Sequence, residues 1–266
     1  MTDLPPFDYS GLDRPEVSLR IFHPRPEWGL FAGTSANNIS IPVADQIVIG
    51  ARFHVVSKEA PNILFFHGNG EIVADYDDLG PVYNRMGINF LPVDYRGYGR
   101  SGGQPTVSTM MHDCHKIFDF TRKWLKDNGY TGPFIVMGRS LGSASALELA
   151  SAHADKIDGL IIESGFALAE PLLRLLGVDL RSVDFAESKG FRNLDKIEQF
   201  RKPVLIIHAE FDHIIPYSDA LQFYKASPSQ DKTLLKIPGA NHNDIFARGL
   251  MEYMSAIKSF TGRLKL

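Results

Sequence analysis

A serine, an aspartate and a histidine, in that order, are the residues of this chain whose types and settings can do chemistry together. The serine is Ser140, in Gly138-Arg139-Ser140-Leu141-Gly142. Before it runs Pro133-Phe134-Ile135-Val136-Met137, an apolar segment that reads as a buried strand. After it, residues 143–150 are small side chains and good helix formers. G-x-S-x-G between a strand and a helix is the arrangement of a nucleophile elbow. Its glycines let the two elements approach closely, and the sharp turn lifts the hydroxyl out of the sheet.

A serine hydroxyl is a poor nucleophile at neutral pH and needs a base, which needs an orienting carboxylate. Of nine histidines, His242 stands apart, on the turn-rich stretch Pro238-Gly239-Ala240-Asn241-His242-Asn243 between a strand and a helix. The alternative for it is a plain surface-loop histidine. Asp212, just beyond the penultimate strand, is the carboxylate best placed to reach that loop. Glu163, at the end of the preceding strand, is the runner-up, and Glu210 a weaker third.

Attack on a carbonyl puts negative charge on its oxygen, which calls for preorganised donors. One is expected from the backbone N–H of Leu141, at a helix N-terminus whose dipole favours an anion. A second is expected from the loop His67-Gly68-Asn69-Gly70-Glu71, with the Asn69 N–H first and Gly70 next. Arg139 either pairs with a nearby carboxylate, lines the entrance, or is structural.

Other matches carry less. Gly99-Arg100-Ser101-Gly102-Gly103 repeats the serine pattern, but Gln104-Pro105 cannot start a helix at once, so Ser101 reads as a loop serine. His112, Cys114 and His115 are ligand types, and the two histidines are i, i+3 neighbours on a helix. No other ligand pair accompanies them, so no metal is expected.

The elements that must position these residues follow from periodicity. Segments 38–43 and 46–56 read as a hairpin, the second alternating apolar and polar residues. From residue 61 onward the apolar runs are short and continuous, as in buried parallel strands: 63–66, 88–93, 134–137, 160–162, 204–207 and 233–237. Helical segments fall between them at 75–86, 107–128, 141–153, 217–225 and 244–260. Such alternation implies an α/β fold whose mixed sheet is covered by helices on both faces. The alternation breaks between residues 163 and 203, too long for an ordinary connection and too short for a second core. Residues 165–202 therefore read as a small helical cap within one domain, 1–266. Its leucines either bind an acyl chain or pack the cap down.

Length and composition bound the partners. The 266 residues carry a net charge of −3 with no basic run, so no nucleic-acid partner is expected. The N-terminus has no secretory pattern, and no apolar run is long enough to span a bilayer. The single cysteine excludes an internal disulfide, and a cytoplasmic setting is expected. Oligomeric state is left open.

His67-Gly68-Asn69-Gly70, Asp94-Tyr95-Arg96-Gly97-Tyr98-Gly99, the Ser140 pentapeptide, the Asp212 segment and the His242 segment, taken in order, resemble the α/β-hydrolase superfamily. The closest likeness is to its small single-domain serine hydrolases, which include monoacylglycerol lipases, acyl-protein thioesterases and proline-iminopeptidase-like enzymes. It runs from about Gln46 to the C-terminus. The resemblance implies a mostly parallel eight-stranded sheet, with Ser140 as nucleophile, Asp212 as acid, His242 as base, and Asn69 and Leu141 as the oxyanion hole. Ala209 stands where the family often has glycine. The activity implied is hydrolysis of a carboxylic ester or thioester through an acyl-enzyme, with no cofactor and no metal. A peptidase of the same fold is the first alternative, and would need carboxylates such as Glu163, Glu170 or Asp179 in the cleft. A non-catalytic binding protein on the same scaffold is the second. Dehalogenases and epoxide hydrolases would want aspartate at position 140.

Overall fold

The structure, a computed structural model, describes residues 8–28 and 37–264. Met1 to Pro6, where the sequence encodes no secretory pattern, lie outside the described residues. The first two strands, β1 (Asn37–Ala44) and β2 (Ile47–Phe53), form the expected antiparallel hairpin. Six more follow: β3 (Asn62–Phe66), β4 (Asn89–Val93), β5 (Phe134–Arg139), β6 (Gly159–Glu163), β7 (Val204–Ala209) and β8 (Lys232–Ile237). They join one eight-stranded sheet in the order β1-β2-β4-β3-β5-β6-β7-β8. β2 meets β4 antiparallel through Ala51 and Val93, and every later pairing is parallel.

The helices are α1 (Pro15–Ile21), α2 (Gly80–Arg85), α3 (Val107–Asp127), α4 (Gly142–Ala152), α5 (Ala169–Leu175), α6 (Asn193–Ile197), α7 (Tyr217–Ala226) and α8 (Ile245–Arg263). The continuous apolar runs hide a period of two, because both faces of the sheet are covered. Leu64, Phe66, Val136, Ile162 and Ile206 face a layer that includes Phe118 of α3, Leu147 of α4 and Phe223 of α7. Their chain neighbours Ile63, Phe65, Ile135, Met137 and Ile207 face a second layer with Tyr83 of α2 and Ile257 of α8.

The sequence reading misses several boundaries: β2 ends at Phe53 rather than 56, and α8 runs to Arg263 rather than 260. The segment 75–86 is not one helix: a 3₁₀ turn, Val73–Tyr76, precedes α2, which restarts at Gly80 and Pro81. Proline has no N–H and suits only a helix's first turn. Gly80 lies so close to His54 that a Cβ would fall 2.2 Å from its ring. α1 was not expected at all, having only Val17 and Ile21 as a buried pair. Residues 165–202 leave the C-terminal end of β6 and carry α5, a 3₁₀ turn at Glu187–Lys189, and α6. Loops at that edge of a parallel sheet are where ligands bind, and Ser140, Asn69, Asp212 and His242 all follow strands there.

Candidate active site

Ser140 sits directly after β5 in the left-handed region, with φ +49°. A non-glycine residue there is strained and must be held by its surroundings. Its N–H donates to the Glu163 carbonyl at 2.8 Å, so β6 fixes the turn. The flanking glycines are obligatory. A Cβ on Gly138 would lie 2.2 Å from the Gly142 carbonyl oxygen, and one on Gly142 would lie 2.1 Å from that of Phe66. α4 starts at Gly142 with Leu141 as its cap, which sets the Leu141 N–H at the positive end of the helix dipole.

His242 Nε2 lies 3.0 Å from Ser140 Oγ, and its Nδ1 lies 2.7 Å from Asp212 Oδ2. A carboxylate only accepts, so Nδ1 carries the hydrogen and a neutral His242 leaves Nε2 open to accept the serine proton. Asp212 Oδ1 accepts from the Ile214 and Ile215 N–H groups at 3.0 and 2.8 Å. Burial alone would raise the Asp212 carboxyl. The His242 bond and charge, the Ile215 N–H and the nearby His208 outweigh it and hold the carboxyl below its usual range. His208 is buried and donates from Nε2 to the Ile215 carbonyl at 2.8 Å; burial lowers its basicity. Ala209 is fully buried at the end of β7 and leaves the Asp212 turn intact.

The loop after β3 is braced from three sides. Tyr95 Oη donates to the His67 carbonyl at 2.7 Å, His67 Nε2 lies 3.2 Å from Asp94, and Glu71 accepts the Gly68 N–H at 2.7 Å. The Asn69 side chain is held in place: Oδ1 accepts from the His23 N–H and the Tyr98 hydroxyl, and Nδ2 meets His23 Nδ1 at 2.9 Å. Gly70 has φ +74°, and its N–H faces the Tyr98 hydroxyl.

These groups open on a cavity of about 280 Å³. Ser140, Leu141, Asn69 and His242 line its polar end. Phe166, Leu172, Leu173, Leu176 and Phe191 wall it from the segment 165–202, together with Ile21 and Ile214.

The other sequence candidates lie elsewhere. Glu163 is fully buried at the end of β6, bound by Arg139 at 3.0 Å and the Tyr253 hydroxyl at 2.6 Å, and burial raises its carboxyl. Glu210 pairs with Lys236 and accepts the Gly239 N–H on the surface. Ser101 accepts the Gly50 N–H at 2.9 Å within its loop. Glu170 pairs with Arg174, and Asp179 accepts the Arg181 N–H. His112 lies against Asp113, His115 meets His153 and Glu148, and Cys114 is buried. Among the described residues, no three His, Cys, Asp or Glu side chains gather as metal ligands would. Nor is any helix among them long and apolar enough to cross a membrane.

Sequence reasoning missed the contributions of Ile21, His23 and Glu71. The first two come from a segment with no periodic signal. Glu71 was readable in part, since it ends the loop after β3, which neighbours β5 and the oppositely charged Arg139.

The sheet order, the two helical layers and the position of the strand-to-helix serine define an α/β hydrolase. A family model described as "Serine aminopeptidase, S33" matches residues 57–183 and 189–247, and the chain belongs to that hydrolase family. It is 32% identical over 194 residues to a lysophosphatidylserine lipase, ABHD12, of Xenopus tropicalis, across 66% of this chain and 49% of that one. It is 30% identical over 204 residues to human alpha/beta hydrolase domain-containing protein 17C, across 74% of this chain and 57% of that one. The chain thus spans about half to three-fifths of the length of these relatives. Among solved structures, the Pyrococcus furiosus esterase Pf2001 superposes with a TM-score of 0.71 at 18% identity, across 91% of this chain and 98% of that one.

Proposed function

We propose that this protein is a serine hydrolase that cleaves a carboxylic ester or thioester carrying an acyl chain. The observation that carries the reading is the hydrogen-bonded line Asp212–His242–Ser140 at the polar end of an apolar cavity. His242 Nε2 takes the Ser140 proton as Oγ attacks the substrate carbonyl. The oxyanion that forms accepts from the Leu141 and Asn69 N–H groups. As the intermediate collapses, His242 returns the proton to the leaving alcohol or thiol, and the acyl group stays on Ser140. Water, deprotonated by the same nitrogen, then releases the acid and regenerates the serine. Asp212 keeps the imidazole in its Nδ1–H form and stabilises the imidazolium; it does not take the proton. The mechanism calls for neither metal nor cofactor.

Residues 165–202 act as the cap of a single catalytic domain, and their leucines receive the acyl chain. The apolar wall of the cavity suits an acyl chain of medium length. The buried, unpaired Cys114 accords with a reducing, cytoplasmic setting. An aminopeptidase reading, suggested by the family's description, is disfavoured by one observation. Among the described residues, Glu71 is the single carboxylate on the cavity wall, and Arg139 pairs with it at 2.8 Å. No free carboxylate faces the cavity from Glu163, Glu170 or Asp179 to hold a substrate ammonium.

Labelling with a fluorophosphonate probe tests the reading. Wild type is expected to label, and Ser140→Ala to lose the label. Labelling that survives Ser140→Ala and disappears in Ser101→Ala would overturn the assignment. Turnover of p-nitrophenyl esters without turnover of aminoacyl anilides is expected; the reverse would establish the peptidase.

A further inference from the structure

We propose that Arg139 is a positioning residue that holds the nucleophile turn, the oxyanion loop and the base loop in one register. The inference rests on Ser140 and His242 being nucleophile and base. Arg139 is the residue before Ser140, yet its side chain is only 5% exposed. Its guanidinium donates in three directions: Nε to Glu71 at 2.8 Å, Nη1 to Glu163 at 3.0 Å, and Nη2 to the His242 carbonyl at 3.0 Å. Each partner belongs to a different part of the site.

Glu71 passes the hold to the oxyanion loop, because its second oxygen accepts the Gly68 N–H at 2.7 Å and the Tyr76 hydroxyl at 2.6 Å. Glu163 fixes the nucleophile from two sides. Its carbonyl accepts the Ser140 N–H, and its carboxylate is anchored to α8 by the Tyr253 hydroxyl. The third arm grips the base's own backbone. A guanidinium is planar with donors in a rigid fork, so three partners bound to it are fixed relative to one another. A lysine, a point charge on a flexible stem, cannot do this.

A buried ion cluster is weak evidence for a role in stability. Buried ion pairs replaced by apolar side chains of similar volume are often neutral or stabilising. Two carboxylates also outnumber the one cation, so no net positive charge is set against the imidazolium that the mechanism needs. The Arg139 charge, with the Tyr76 hydroxyl and His67, overcomes burial and holds Glu71 down at about 2, so that ion pair persists through neutral pH.

The test is steady-state kinetics on p-nitrophenyl butyrate, per site titrated with fluorophosphonate, alongside thermal unfolding. Arg139→Gln strands two buried carboxylates and endangers the fold, so Arg139→Lys, which keeps the charge, is the deciding variant. A misplacement of about 1 Å costs on the order of 10²-fold in rate. We expect Arg139→Lys to lose at least about tenfold in kcat, with KM within about twofold and little change in Tm; Arg139→Gln, where folded, loses more. If Arg139→Lys keeps wild-type kcat, whatever its Tm, the arginine is merely structural and the inference is overturned. If wild type itself fails to label or turn over, the reading of Ser140 and His242 falls first and takes this inference with it.

Discussion

On the proposed mechanism, Asp212 divides its work between holding a loop and serving a base. Its Oδ1 accepts two backbone N–H groups, whereas its Oδ2 meets His242. Asp212→Asn keeps an oxygen for the two amides but places an NH₂ or a neutral oxygen against Nδ1. The imidazole then loses its required tautomer or the charge that stabilises its protonated form. We expect kcat on a p-nitrophenyl ester to fall by about 10³- to 10⁴-fold while Tm moves by only a few degrees. A variant within tenfold of wild type would remove Asp212 from the mechanism. Gly142→Ala tests the turn itself. Its Cβ would meet backbone at 2.1 Å, and forced overpacking costs about 1–3 kcal/mol, which a lowered urea midpoint would record. At this scale the meeting of Ser140, Asp212 and His242 was legible, because each follows a strand at the same edge of the sheet. Arg139 was not resolved. Its meaning lies in Glu71, distant in sequence, and in Glu163, its register partner across β5 and β6.

From β3 onward the strands were legible to within two residues because most are short apolar runs bounded by turn residues, whereas β2, read to residue 56 from its alternation, ends at Phe53. The amphipathic α3 and α8 were legible for the same kind of reason, being long and periodic. What failed was the helix over 75–86, where the apolar pattern ran on and Pro81 broke the backbone. The segment 165–202 was legible only as an interruption. The cavity it walls depends on which faces of two short helices turn inward, and seven-residue α5 has too few turns to declare that. Leu172 and Leu176, four residues apart, share one such face and both line the cavity. On the proposed function, each added methylene contributes about 0.8 kcal/mol, or roughly fourfold in kcat/KM, until the cavity is full. We expect a p-nitrophenyl ester series to rise at that slope, then flatten once the chain fills the cavity. Leu172→Trp should shift the plateau to shorter chains and leave acetate hydrolysis within about twofold. A profile flat in chain length would separate the leucines from substrate binding.

At the scale of the whole molecule, the N-terminal segment ties the outer elements to the sheet, and it was the least legible part. Tyr9 donates its hydroxyl to Glu148 of α4 at 2.7 Å, and Lys196 of α6 meets the same carboxylate at 2.8 Å. One buried carboxylate thus joins the N-terminal segment, the helix behind Ser140 and the segment 165–202. Burial would push the Glu148 carboxyl up, but His115, Lys196 and Tyr9 together hold it at about 2. A carboxyl depressed in the folded state adds stability above its unfolded value near 4.5 and loses it as pH falls towards 2. Glu71, also held at about 2, acts in the same direction. Glu163 and Asp219, both raised by burial, act in the opposite one. The depression of Glu148 corresponds to stability on the order of 3 kcal/mol. Glu148→Gln should therefore be destabilised at pH 7 by about that amount, since the variant removes the carboxylate that Lys196 meets. The decisive quantity is the gap in denaturant midpoint between wild type and Glu148→Gln. It should hold from pH 7 to about 5, then narrow steadily below pH 4.5, because acid cancels in the wild type the charge that the variant never had. A gap that stays constant down to pH 3 would mean that Glu148 is not held ionised, and that packing rather than charge joins the three elements.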